Sequence, residues 1–201
     1  MIKTSENLIA EFTRLYAEPY HRLQLMERDG KIFRLKRGLY ETDKMADPLT
    51  LASSIYGPSY ISFETALSYY DLIPERSLTY LSASFGSKKK KMFSNSYGTF
   101  VYQDITPKAF PVGTKFVDSE GRKFEIATPE KALCDTISKF KPLKNNAELE
   151  EWLYSFMRME KDEILRLDAS SISLWAPLYE QKNVRLLADY LKEKKYENKI
   201  G

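Results

Sequence analysis

Apolar residues at the amino end recur every three or four positions. Leu8, Ile9, Phe12, Leu15 and Tyr16 fall on one side of a helix predicted over residues 5–17, with Ser5 placed to cap its first turn. Pro19 can open a second helix, because its missing N–H has no partner to lose there, and Gly30 marks the end after Asp29. Tyr20, Leu23 and Met26 are expected on the inward side of that helix. Residues 31–35 and 38–41 then read as two short strands around the basic turn Lys36-Arg37. Residues 42–47 are polar and end at Pro48, as a linker would. Pro48 begins a mostly apolar helix that Gly57-Pro58 stops near Tyr56.

Two later stretches read as a strand running into a capped amphipathic helix. In the first, Ser62 is the expected cap, Glu64 sits near the positive end of the helix dipole, and Phe63, Ala66, Leu67 and Tyr70 share the buried face. In the second, Thr128 is the cap, Pro129 takes the first helical position, and Leu133, Cys134, Ile137 and Phe140 form the buried stripe. Strands are expected over 78–84 and 99–105, and a hairpin over 114–117 and 122–127 around Asp118-Ser119-Glu120-Gly121. Beyond Thr128 the chain turns helical. Leu149, Trp152, Leu153 and Phe156 make one seam, Val184, Leu187, Ala188 and Leu191 another, and the charged tail from Lys192 is expected to fray. The predicted class is α+β: a small winged-helix-like module, a mixed sheet flanked by helices, and a helical C-terminal third.

Length and composition set bounds on this picture. A chain of 201 residues can hold a small and a medium domain, and the division expected is residues 1–45 against 46–201. Hydrophobic content of 43% supports a packed core rather than a disordered chain. The net charge of +3 is too small to argue for nucleic acid, so the placement of the charges must carry that case. The single Cys134 excludes an intramolecular disulfide and a multi-cysteine metal site, and its place in a buried stripe predicts an inert thiol. No signal-peptide pattern and no run near the ~18 apolar residues of a membrane span is present, which predicts a cytoplasmic protein with no membrane partner.

The charges gather in two places. On the second helix His21, Gln24 and Arg28 share one face, with Arg22 beside them, and a guanidinium and a carboxamide can read guanine and adenine edges in a major groove. Lys31, Arg34, Lys36 and Arg37 follow within seven residues, a cluster that could lie along phosphates or enter a minor groove. A solvated helix face and turn is the plainer alternative. Lys88, Lys89, Lys90 and Lys91 repel one another and so predict an exposed loop, either merely solubilising or a second contact for nucleic acid or an acidic partner. Against catalysis, His21 is the only histidine and the glycines are scattered. Glu64 and Glu130 are explained by dipole compensation, and Glu150-Glu151 and Asp162-Glu163 point different ways on a helix. Tyrosine is abundant, and Tyr56, Tyr60, Tyr69 and Tyr70 crowd one segment. Core packing is their commoner fate, with Tyr69, Tyr70, Trp152 and Trp175 the places to look for a partner surface.

The wording of several segments adds to this. Arg37-Gly38-Leu39-Tyr40, Asp47-Pro48-Leu49, residues 60–75, Gly98-Thr99-Phe100-Val101-Tyr102 and Thr128-Pro129-Glu130-Lys131-Ala132-Leu133 occur in order between Gly30 and Asp135. Together they resemble the abortive-infection type IV antitoxin family, bacterial transcriptional regulators whose operons also encode a nucleotidyltransferase-like toxin. The resemblance implies an N-terminal winged-helix domain binding operator DNA, and a C-terminal domain serving repression and toxin neutralisation. From the residues themselves, no catalysis and no cofactor or metal are expected. The family's winged module has three helices, whereas here only two precede the wing. Two other classes stay open: a module that binds a toxin or other protein without DNA, and a metal-dependent nucleic-acid enzyme built on Asp104, Glu125 and a lysine.

Overall fold

The computed structural model describes residues 1–75, 77–86 and 89–200. At the amino end, Ile2–Thr4 (β1) pairs antiparallel with Leu39–Glu41 (β3), which also pairs with Phe33–Lys36 (β2), giving a small sheet of order β1-β3-β2. Ser5–Thr13 (α1) and Pro19–Arg28 (α2) lie between β1 and β2 in the chain, and their Leu8, Phe12 and Leu23 close a small core with Ile32 and Tyr40. β1 was not expected, since three residues are too few to show a period. With it, the module has the strand–helix–helix–hairpin order of a winged helix that lacks its first helix.

Local chemistry sets the helix ends. Thr4, not Ser5, caps α1, accepting the Asn7 amide at 3.2 Å. The helix stops at Thr13 rather than running to 17, and Leu15 and Tyr16 are exposed. α2 ends within a residue of its expected limit.

The rest of the chain is built on a mixed sheet of Ser59–Ile61 (β4), Thr79–Ser84 (β5), Lys91–Asn95 (β6), Gly98–Asp104 (β7), Thr114–Ser119 (β8) and Arg122–Ala127 (β9). Their order is β6-β7-β5-β4-β9-β8, with β5–β7 and β4–β9 parallel and the other neighbours antiparallel. β6 falls where a loop was expected: Lys91 begins it and Phe93 packs on the core, while Met92 and Ser94 face solvent. β8 and β9 meet at Glu120-Gly121, whose φ values of 52° and 79° suit a tight two-residue hairpin turn.

Pro48–Ile55 (α3) lies against β4, β5 and β9, and Phe63–Tyr69 (α4) packs on β5 and on Pro129–Ser138 (α5). α5 is covered by Ala169–Tyr179 (α8) and Lys182–Ile200 (α9). Between them run Asn146–Glu150 (α6), a π-helical continuation Glu151–Phe156, and Lys161–Arg166 (α7). The fold is α+β, as expected. Of the first predicted seam, Leu149, Trp152 and Leu153 are buried, but Phe156 is 66% exposed. The wider π turn rotates Phe156 off the face that a regular 3.6-residue period would give it. The second seam is fully buried, and α9 does not fray at Lys192 but continues to Ile200.

Residues 42–47 are not a free tether. The Arg122 guanidinium donates to Glu41 at 2.8 Å, Ser119 donates to Asp47 at 2.8 Å, and the Tyr97 hydroxyl donates to the Asp43 carbonyl. Asn95 donates to the Leu35 carbonyl at 3.1 Å, and Phe33 and Tyr97 meet edge to face. These contacts fix the small module against β6 and the β8–β9 hairpin.

Candidate nucleic-acid interface and a buried polar cluster

α2 turns Leu23 into the small core, which leaves His21, Gln24 and Arg28 exposed on the outer side. The face predicted from spacing is therefore present as an open surface. Tyr20, expected inside, is 71% exposed beside it. Arg22 is turned toward α1, its guanidinium 4.7 Å above the Tyr16 ring and its Nε buried without a hydrogen-bond partner among the described residues. It does not join the His21 face.

The hairpin cations divide. Lys31 and Arg37 are exposed and form no ion pair with a described residue. Arg34 is half-committed: its Nη2 donates to the Tyr40 hydroxyl at 3.2 Å and its Nε lies 3.5 Å from Glu27, while the side chain stays 53% exposed. Arg28 lies 3.1 Å from Asp29. Lys36 corrects the expectation. Its ammonium donates to the Ile55 carbonyl at the end of α3, because a bulge between Arg34 and Lys36 turns the side chain toward the larger sheet. Between Glu18 and Arg37 six cations face three carboxylates, and Arg22 and Lys36 are the two drawn in from the surface.

Of the lysine run, Lys88 lies outside the described residues. Lys89 and Lys90 are exposed, and Lys91 is half-buried at the start of β6 rather than in a loop.

Sequence reasoning missed a second site. Ser62 precedes α4 but does not cap it. Phe63 takes a left-handed φ of 55°, and the Ser62 hydroxyl donates instead to Asp135 Oδ2 at 2.6 Å. The Tyr60 hydroxyl reaches the same oxygen at 3.0 Å. On α5, Lys131 Nζ donates to Asp135 Oδ1 at 2.8 Å, and the Tyr179 hydroxyl from α8 donates to that oxygen at 2.6 Å. Lys131 and Asp135 are both fully buried. Burial, with the Asp135 charge beside them, pushes the Tyr60 and Tyr179 phenols far above their ordinary range and keeps them as donors. Burial also pulls the Lys131 ammonium down, against the opposing pull of Asp135. The Lys131–Asp135 spacing of four was the available signal, but on a helix it reads as an ordinary solvated pair. Every charge in the cluster is answered within it, so it holds β4, α5 and α8 together.

The remaining candidates take structural places. Thr128 caps α5, accepting the Lys131 amide at 3.3 Å. Cys134 is buried and its thiol is pushed well up by that burial, as an inert core residue should be. Tyr70 donates to the Ala127 carbonyl at 3.0 Å, and Glu130 accepts the Asp168 amide at 3.0 Å. Asp104 accepts from Ser84 and Glu125 from Thr114. Among the described residues no three His, Cys, Asp or Glu side chains gather as a metal site, and no helix is long and apolar enough to cross a membrane. A cleft of about 460 Å³ between α3, α4 and β5 is walled by Leu49, Glu64, Tyr69, Tyr80 and Leu81. Compared with known protein families and with curated proteins, the chain matches none.

Proposed function

We propose that this protein is a DNA-binding transcriptional autoregulator of the antitoxin kind, which binds the region upstream of its own operon and opposes a nucleotidyltransferase-like toxin in the cytoplasm. The observation that supports this reading best is the open outer face of α2. His21, Gln24 and Arg28 stand on it, on a two-helix unit whose sheet order is that of a winged helix. Lys31, Arg34 and Arg37 flank the face with charges suited to phosphate, and the α2 face supplies donors suited to base edges. The antitoxin part of the reading rests on the resemblance of residues 30–135 to that family, and it assigns the larger domain to the toxin. No catalytic step is assigned to the chain.

The test is a mobility-shift titration on the native upstream DNA and on a scrambled duplex, with Gln24→Ala and Arg28→Ala combined. The double variant should lose preference for the native sequence by about 1–3 kcal/mol per base contact removed while keeping its affinity for scrambled DNA. An unchanged preference removes α2 as the reading element.

A second reading has its own support. Leu15 and Tyr20, 74% and 71% exposed, form an apolar edge at the α1–α2 turn that suits a protein partner. A module that binds only protein would give no shift on any duplex and a stable complex with the neighbouring gene product.

A further inference from the structure

The two edges of the large sheet are treated differently. β6, at one end, is shielded by the small module through Asn95 and Leu35. β8, at the other, has β9 as its one strand neighbour among the described residues, and Phe116 at its centre is 71% exposed. A bare edge with an outward aromatic is a template for another strand.

The hairpin geometry says which backbone groups are available. Ser119 and Arg122 flank the two-residue turn and form its closing hydrogen-bonded pair, so Ser119, Val117 and Lys115 bond inward to β9. The Thr128 amide donating to the Gly113 carbonyl at 2.8 Å continues the same alternation. Thr114, Phe116 and Asp118 therefore turn their N–H and C=O groups outward.

We propose that β8 pairs antiparallel with β8 of a second copy of this chain, centred on Phe116. A two-fold axis normal to the sheet requires one residue to face its own copy, since only then do facing side chains lie on the same side of the pleat. Centring on Phe116 sets Thr114 opposite Asp118 of the second copy, so every outward residue of both strands finds a partner. The flanking pair is Lys115 opposite Val117, and no like charges meet. Centring on Asp118 would set two carboxylates face to face and leave Thr114 unpaired; centring on Thr114 would leave Asp118 unpaired. Centring on Lys115 would set two ammoniums face to face, and centring on Val117 would leave Thr114 opposite the turn; the Phe116 register satisfies backbone, charge and the exposed ring together, with the two rings adjacent on one face. The pairing joins the two sheets into one and relates the two small modules by a two-fold axis. It does not depend on DNA being the ligand.

Sedimentation velocity of the full chain over a concentration series tests this, with Phe116→Glu and Phe116→Cys as the variants. The parent should sediment as a dimer at tens of micromolar. Phe116→Glu should raise the dimer dissociation constant ~100-fold or more, because a charge is left desolvated against its own copy. Phe116→Cys, treated with a short thiol cross-linker, should give a covalent dimer, since the native Cys134 is buried and silent. A parent that stays monomeric throughout, a dimer indifferent to Phe116→Glu, or a Phe116→Cys chain that does not cross-link would each overturn the pairing.

Discussion

Lys131→Met removes the only cation from the buried cluster and leaves Asp135 charged, fully buried and held by the hydroxyls of Ser62, Tyr60 and Tyr179. Breaking a buried pair by deleting one partner costs ~3–5 kcal/mol, and three remaining hydroxyl donors favour the lower end. Both side chains are inaccessible to solvent, so screening does not reduce the figure. A loss of ~3 kcal/mol is a large part of the 5–15 kcal/mol typical of a domain. At this chain length it corresponds to roughly 6–12 °C in Tm. Adding Asp135→Asn removes the stranded charge, and its amide oxygen can accept the Ser62 and Tyr60 hydroxyls while its NH2 donates to the Tyr179 hydroxyl oxygen. The double variant should then recover ~2 kcal/mol of the loss. Urea unfolding of the parent, the single and the double variant measures both quantities. A Lys131→Met cost below ~1 kcal/mol, or a double variant no more stable than the single, would show that the pair does not hold β4, α5 and α8 together.

The wing cations should separate in a salt titration of DNA binding. Arg34→Ala with Arg37→Ala should flatten the log–log slope by about two, whereas Lys36→Ala, whose ammonium serves the Ile55 carbonyl, should leave the slope as it was and lower stability instead. Glu41 predicts an acid limit for the contact between module and larger domain. Burial alone would raise its carboxyl, but hydrogen bonds from the terminal ammonium, Arg122 and the Asp43 and Thr42 amides outweigh burial and hold it below its ordinary 4.5. A carboxylate depressed in the folded state stabilises above its unfolded value, and the gain is lost as pH falls from there through the lower folded value. The urea midpoint of the parent should therefore drop more steeply below pH 4.5 than that of Glu41→Gln, and parallel curves would contradict the assignment.

Much of the fold was legible because local rules and tertiary packing agree. The β9–α5 unit carries its own signals: Thr128 caps, Pro129 opens, and Leu133, Cys134 and Ile137 are buried as their spacing demands. What was missed has physical reasons. Ile2–Thr4 is too short to show alternation, and β6 is hidden by the lysines that lead into it. Lys36 looked like a turn cation until the bulge and the end of α3 gave it a carbonyl. The buried cluster left only the four-residue spacing of Lys131 and Asp135 as a signal, and that reads as a solvated pair. Ser62 and Lys131 carry residue types that belong at a cap and on a solvated helix face, and their partners Tyr60, Asp135 and Tyr179 come together only when β4, α5 and α8 pack. On α2, His21, Gln24 and Arg28 are exposed as their spacing indicated, because Leu23 fixes which side is buried, but Tyr20, expected on that buried side, is exposed as well.

The most direct test of a DNA-reading α2 face is the affinity of the unaltered protein for its own upstream DNA, followed by fluorescence anisotropy across a series of salt concentrations. With Lys31, Arg34 and Arg37 at the surface and Arg28 turned to base edges, up to three phosphates can be neutralised, so log affinity should fall with log salt at a slope of about −2 to −3. The native duplex should be bound at least ~1,000-fold more tightly than a scrambled one. A slope near zero, or equal affinity for both duplexes, would contradict the account.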